Sequence, residues 1–276
     1  MDTAGLKKKI NQKYDAVFAG LILVLILAGI LALCLGRYWI PFPDVVKVLL
    51  SRVFPVSGSW DANTESVVMT LRLPRVAAAV LVGGSLALSG AVYQGVFQNP
   101  LVAPDLLGVS SGACIGAALA ILFSVGTFGV QVGAFIGGII AVMITTAIPR
   151  VIKNNSNMML VLAGIIVTGL MNSIMGIIKY IADPETQLAE ITYWQMGSIA
   201  KVLPNSLLMI CPAVLISTVV LMAMRWRINV LSLGETEAKS LGITIKTTRM
   251  IVIVCATLLT ACSVCICGTI GWVGLV

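Results

Sequence analysis

Histidine is absent from this chain of 276 residues. That removes imidazole metal ligands, histidine general bases and histidine proton relays together. Charge is scarce as well: 11% of residues are Asp, Glu, Lys or Arg, against about 25% in soluble domains. With 59% hydrophobic residues and a mean hydropathy of +1.04, the chain cannot cover a water-facing surface with polar groups. A bilayer is its natural solvent, and there each segment must satisfy its own backbone hydrogen bonds. The apolar stretches lack alternation, so they read as helices rather than barrel strands. No Gly-x-x-x-x-Gly-Lys-Ser/Thr motif occurs, so the chain carries no phosphate loop of that type. No internal repeat, low-complexity tract or soluble domain is visible, and no cleavable signal peptide is evident.

What is present is a series of uncharged apolar runs. A spanning helix needs about 20 such residues. Runs of that size lie at Val17–Gly36, Val76–Phe97, Leu106–Val125, Val130–Pro149, Met158–Ile178, Val202–Met224 and Met250–Cys267. An eighth stretch begins near Gly268. The expected fold is an all-α, polytopic transmembrane bundle with seven complete spans and the start of another.

The net charge is +7. On a soluble protein this would raise nucleic acid as a partner. Here the charge sits at the ends of apolar runs and reports orientation instead. A cytoplasmic N-terminus places Lys7, Lys8, Lys9, Lys13, Arg150, Lys153, Arg225, Arg227, Lys239, Lys246 and Arg249 inside. Only Arg37, Lys47, Arg52, Arg72, Arg75, Lys179 and Lys201 then fall outside, as the positive-inside rule favours. Two outer segments have room for structure of their own. Arg37 to Pro74, with Pro41, Pro43, Pro55 and Trp60, reads as an extended loop with one short amphipathic helix. Ile181 to Leu203 carries Tyr193 and Trp194, residues suited to the headgroup level.

The cysteines, Cys34, Cys114, Cys211, Cys255, Cys262, Cys265 and Cys267, all fall within apolar runs or at their ends. They read as small apolar helix residues rather than a metal or redox set. Glycines recur at every fourth position at Gly108, Gly112, Gly116 and again at Gly129, Gly133, Gly137. Each series draws a smooth stripe on one helix face, which lets helices pack closely in lipid.

Four segments carry more than packing. In Leu71-Arg72-Leu73-Pro74-Arg75, Pro74 disfavours helix at Leu73 and suits a first helical turn, so a span should start here with both arginines at its outer end. Those arginines read either as interfacial anchors or as recognition groups for carboxylates. Gln94-Gly95-Val96-Phe97-Gln98-Asn99-Pro100-Leu101, followed by Pro104, Asp105 and Gly108, breaks an otherwise apolar sequence. It is either a cytoplasmic hairpin or the vestibule of a pathway. In residues 232–242, Ser232 and Glu235 have capping-box spacing, Glu235 and Lys239 stand one turn apart, and Gly242 suits a helix stop. A short, independently capped helix is expected there. Tyr193-Trp194-Gln195-Met196-Gly197-Ser198 follows the fifth run and reads by default as aromatic belt.

Together these residues, above all Leu71 to Gly116, resemble the permease subunits of ATP-binding-cassette importers for iron chelates, haem and vitamin B12, the FecCD-type family. The pattern Q-x-x-x-x-N-P-L-x-x-P-x-x-L-G is matched from Gln94 to Gly108, and L-G-x-x-x-A-x-x-L-G from Leu233 to Gly242. The resemblance implies a single permease domain over 1–276, of the vitamin B12 importer type. The family has ten spans, so this sequence would be incomplete at its C-terminal end, where family members continue past the Gly268–Val276 segment.

The resemblance also implies roles. Arg72 and Arg75 would dock acidic residues of an extracytoplasmic substrate-binding protein. Gln94, Gln98, Asn99, Pro100, Pro104 and Gly108 would border the pathway. Leu233, Gly234, Glu235, Ala238, Leu241 and Gly242 would form the helix that couples to an ATPase, and Trp194, Gly197 and Ser198 would stand near the outer gate. Expected partners are a second permease subunit, two cytoplasmic ATP-binding subunits that hold the ATP and magnesium, the binding protein and membrane lipid, without nucleic acid. No catalytic residue, metal or cofactor is assigned to this chain. The expected location is the cytoplasmic membrane, and the expected cargo an iron-siderophore, with haem and vitamin B12 behind it. The rival readings are an ion-coupled secondary transporter and a membrane-embedded enzyme. The spans hold no ionisable residue beyond Lys179 at the end of the fifth, which is not what ion coupling needs. Paired intramembrane acids for an enzyme are missing too.

Overall fold

The computed structural model describes residues 3–52, 54, 61–153, 156–271, 273 and 275. Pro55, Trp60, Trp272, Gly274, Val276 and the side chains of Lys7, Lys8 and Lys9 lie outside the described residues. Those described are helical, with no strand. They divide into two compact units, Met1–Ala77 and Ala78–Val276.

The first unit starts with α1 (Thr3–Cys34) and continues through α2 (Phe42–Leu50), α3 (Ala62–Ser66) and a π-helical turn at Val67–Arg72. Pro43 and Asp44 occupy the first turn of α2, where a missing N–H costs nothing and a carboxylate meets the positive helix end. Val45 and Val48 on one face of α2 are buried with Leu33, Cys34, Ile40 and Val68. The helix containing Pro74 does not start at Leu73 as expected. It begins at α3, passes through the π turn and runs on into α4 (Leu73–Phe97), so Pro74 lies inside a continuous helix. At the end of the π turn the Leu73 N–H reaches back to Val68 O. This wider winding gives the chain a way to carry a proline that cannot donate to an ordinary helical ladder.

The second unit contains α5 (Val109–Leu122), α6 (Gly126–Val151), α7 (Asn157–Ile181), α8 (Gln187–Gln195), a 3-10 turn at Ile199–Lys201, α9 (Pro204–Ala223), α10 (Arg225–Leu233), α11 (Glu235–Ser240) and α12 (Ile245–Cys267). Six helices among the described residues are long and apolar enough to cross a membrane. The third expected span, Leu106–Val125, is not one of them. Gly108 and Ser124 adopt positive φ at its two ends, which leaves a helix of 14 residues. At about 1.5 Å per residue that is shorter than a hydrocarbon core of about 30 Å.

The short α5 is held by α6 at very close range. A Cβ on Gly116 would stand 1.9 Å from Gly133 O, and one on Gly112 would stand 2.4 Å from Gly137 O. Thus the two glycine ladders face each other, through Gly112 and Gly116 on α5 and Gly133 and Gly137 on α6. Gly108 instead abuts Thr168 and Val167 of α7, and Gly129 meets only Val125. At the centre runs α12, with 78% of its apolar window buried against 22% in α9. Its polar side chains are inside: Tyr93 of α4 pairs with Thr257 at 2.9 Å, and Thr260 donates to Ser89 at 3.2 Å. The clustered cysteines of α12 are buried among these helices, with the Cys265 and Cys267 thiols turned to the Cys262 and Ser263 carbonyls.

Candidate functional site

The two arginines of the Leu71–Arg75 segment have different fates. Arg72 turns inward within the first unit. Its guanidinium donates to Leu33 O at 2.7 Å and Cys34 O at 2.9 Å, and it also reaches Tyr38 O. Leu33 and Cys34 end α1, so Arg72 caps carbonyls that have no helical partner and places its charge at the negative helix end. Gly36 leaves room for it, since a Cβ there would lie 2.7 Å from the guanidinium. Arg75 is exposed. Of the two arginines, Arg75 is thus free at the surface while Arg72 is engaged by three carbonyls.

The Gln-Asn-Pro break is irregular backbone in which Gln98, Asn99, Pro100 and Leu101 are exposed while Val102 and Pro104 are buried. Gln98 has φ 53° and closes α4, with Asn99 N–H returning to Gln94 O at 3.2 Å. Asn99 Oδ1 accepts from Leu101 N at 2.9 Å, a local turn ahead of which Pro100 has no N–H to donate. Further along, Thr145 of α6 donates to Leu107 O at 2.9 Å, and Gly164 of α7 lets Leu106 O come within 2.1 Å of where a Cβ would be. Gln94 donates to Leu275 O at 3.2 Å. Gln98 also reaches across the sequence: its Nε2 donates to Leu231 O, 2.9 Å away, near the end of α10.

Of the expected pathway residues, Pro104 lines a chamber. With Asp105 it borders a space of about 210 Å³ whose other polar walls include Ser110, Ser111, Asn172, Gln195, Thr260 and Thr269. A polar lining among apolar spans is costly unless water or a solute fills it. Asn172 and Thr260 had no spacing or motif to mark them in the sequence. Gln94, Gln98 and Asn99 instead make hydrogen bonds to backbone groups of Leu275, Leu231 and Leu101.

The short helix at 235–240 is present, but its start differs from the expected capping box. Ser232 belongs to α10 and donates back to Asn229 O at 2.7 Å. Gly234, at φ 144° and ψ 159°, separates the two helices and is the N-cap of α11, which has no side-chain cap. Glu235 does not pair with Lys239; it meets Arg249 of α12 at 2.6 Å. A partner across a helix–helix contact wins here because the Arg249 side chain is only 14% exposed, where an ion pair is less screened. Gly242, at φ 75°, stops α11, and Ile243 N–H returns to Ala238 O at 3.0 Å. Ala238 is fully buried against Val230, Leu231 and Ile243, whereas Leu233 and Leu241 stand exposed at 71% and 55%.

The Tyr193–Ser198 segment is joined to the end of α12. Ser198 N–H donates to Cys267 O at 2.6 Å, and Thr269 Oγ1 donates to Gln195 O. Gly197 and Gly268 take positive φ at this crossing, where a Cβ on Gly197 would come within 2.2 Å of Thr269 O. Ser198 also caps the following 3-10 turn through Ala200 N–H. Trp194 lines a neighbouring cavity of about 240 Å³ with Glu190, Tyr193 and Lys201. Lys201 donates to Tyr193 O at 2.7 Å and lies 3.6 Å above the Tyr193 ring. Burial pulls its pKa below the ordinary lysine value, with Glu190 opposing.

The family model of the FecCD transport family matches residues 23–276. A molybdate import system permease protein from Haemophilus influenzae is 36% identical over 265 residues, covering 96% of this chain and 78% of that protein. A probable iron chelatin transport system permease protein from Helicobacter pylori is 40% identical, covering 78% of this chain and 65% of that one. A solved structure described as an inward-facing conformation of a metal-chelate type ABC transporter superposes with a TM-score of 0.82 at 35% identity. That match covers 95% of this chain and 79% of the other.

Proposed function

Because this chain belongs to the FecCD transport family, we propose that it is an importer permease carrying an iron-siderophore or a related chelate inward by alternating access, driven by partner ATPases. The observation that carries the reading is the mounting of α11. Ala238 roots it in a small core, Glu235 ties it to α12, and Leu231 just before it is held by Gln98 from the segment that borders the polar chamber. Leu233 and Leu241 are left outward as an apolar contact for a soluble subunit. A push on α11 therefore has two rigid routes into the bundle, one through α12 and one through the Gln-Asn-Pro segment.

In this reading the subunit works with a second permease subunit, two ATP-binding subunits that supply ATP and magnesium, and an extracytoplasmic binding protein. The N-terminus is cytoplasmic, which sets α11 on the ATPase side and Arg75 on the side of the binding protein. Arg75 contacts that protein, and Arg72 keeps the neighbouring end of α1 in place for it. The chamber walls, with Asp105 and Asn172 among them, offer hydrogen bonds to a hydrophilic cargo without a fixed metal set.

The test is uptake into vesicles containing the reconstituted importer, with ferric siderophore, haem, cobalamin and molybdate as separate cargoes. Ferric siderophore uptake should require ATP inside the compartment that faces α11 and should persist without an ion gradient. Ala238→Pro removes the N–H that bonds Gly234 O at 3.1 Å, and it should abolish uptake while the chain still inserts. Uptake that follows a proton or sodium gradient without nucleotide, or a variant that transports normally, would overturn the proposal.

A further inference from the structure

A third cavity, of about 440 Å³, lies where α6 ends and α7 and α12 begin, with Glu235 and Lys239 of α11 on its wall. Its volume is in the range of small-ligand sites, about 300–1,000 Å³. Four cations line it, Arg150, Lys239, Lys246 and Arg249, against the single carboxylate of Glu235. That carboxylate is engaged by Arg249 at 2.6 Å. Among the described residues the other ion pairs are Lys47–Asp44 and Arg52–Glu65, so Arg150, Lys239 and Lys246 border the cavity without a carboxylate of their own. The Arg150 guanidinium donates to Met250 Sδ at 3.2 Å, a weak acceptor. Like charges gathered around one space repel unless an anion joins them.

The remaining wall is mostly apolar, with Thr146 and Ser156 the polar side chains on it. Pro149 of α6, Leu160 of α7 and Ile253 of α12 line the same cavity, and all three are buried. Basic pockets between spanning helices are suited to lipid headgroups, and an apolar wall beside the charges suits the carbon chain that a headgroup carries. A small inorganic anion would use the cations and leave that wall in contact with water.

We infer that this cavity binds a phosphate group, with the glycerol and first methylenes of an anionic phospholipid along its apolar wall. The Arg150 fork and the Lys239 and Lys246 ammonium groups take the phosphate oxygens, while Arg249 stays on Glu235. Since these cations come from α6, α11 and the first turn of α12, the bound group bridges three elements at the root of α11. The inference concerns lipid binding and holds whatever cargo the chain carries.

The test uses the full chain in detergent, titrated with dioleoyl phosphatidylglycerol or dioleoyl phosphatidylcholine and read by native mass spectrometry. Inorganic phosphate and glycerol 3-phosphate serve as separate competitors. Phosphatidylglycerol should be retained at least tenfold better than phosphatidylcholine. Each basic residue near such a surface contributes about fivefold, so the double variant Arg150→Gln, Lys246→Gln should weaken retention about thirtyfold. Arg225→Gln with Arg227→Gln removes two exposed cations that do not line the cavity and should change retention less than threefold. Thermal melting of each variant shows that it is folded. Displacement by inorganic phosphate at low millimolar concentration, with no preference for the lipid, would keep the phosphate site and reject the lipid as its source. Equal retention of both lipids without competition by phosphate, or equal loss in the two double variants, would overturn the inference. So would cations that become shielded only when an ATPase subunit is added, which would assign them to a carboxylate of that protein.

Discussion

Replacing Gly116 by alanine puts a methyl group 1.9 Å from Gly133 O and 2.6 Å from Gly133 C. Ordinary contact begins at 3.4 Å, so α5 and α6 must part by about 1.5 Å, the difference between those two distances. Neither atom can rotate away, because both belong to the backbone of α6. Overpacking costs about 1–3 kcal/mol in general, and a rigid obstacle places this case near 3 kcal/mol. At about 2–4 °C per kcal/mol for a chain of this size, the melting midpoint should fall by roughly 6–12 °C. The measurement is thermal unfolding of the purified chain in detergent, followed by far-ultraviolet circular dichroism. Gly169→Ala and Gly176→Ala are the controls: both glycines lie in α7, and nothing stands within 4 Å of the added methyl. They should melt no lower than the parent, since alanine is the better helix former by about 1 kcal/mol. If Gly116→Ala melts with these controls, the close approach of α5 and α6 is not what the bundle rests on.

Other substitutions separate roles that lie close together. Arg72→Ala should destabilise the first unit by about 2 kcal/mol through loss of the carbonyl cap, measured by protection of Leu35 and neighbouring amides from hydrogen exchange. Arg75→Glu should leave that protection unchanged and weaken binding-protein capture in a pull-down by at least tenfold. Tyr93→Phe removes the buried partner of Thr257 Oγ1 and should cost about 1–2 kcal/mol in the same melting assay, with little effect at exposed Tyr180. Gln98→Ala should leave ATP hydrolysis by the assembled importer within twofold of normal while uptake per ATP drops severalfold; unchanged coupling would remove Gln98 from the route.

The glycine stripes at Gly112, Gly116, Gly133 and Gly137 were legible in the sequence because four-residue spacing is close to the helix repeat of about 3.6 residues. The α11 stop at Gly242 was legible for a similar local reason, since only glycine takes φ 75° without strain. Legibility failed where local backbone winding or a distant group decided the outcome. Pro74 signalled a helix start, yet the π turn before it carried the helix through. Leu106–Val125 had the length and apolarity of a span, but bends at Gly108 and Ser124 cut it short. Glu235 had a cation one turn away and chose Arg249 from another helix. Tyr93 and Thr257 stand 164 positions apart, and no pattern in either neighbourhood announces the other. Asn172 was equally silent: a single asparagine in an apolar run is ordinary until the fold turns it to a chamber.

The hydrogen bond from Gln98 to Leu231 has a consequence for how this subunit can change over generations. Its acceptor is a main-chain carbonyl, which every amino acid supplies. Position 231 is thus free to drift among residues that fill its small core, and the tether survives each exchange. The whole burden of keeping it falls on position 98, where a shorter amide or a charged head would let go. Inheritance should therefore be strict at one end of this strut and lenient at the other.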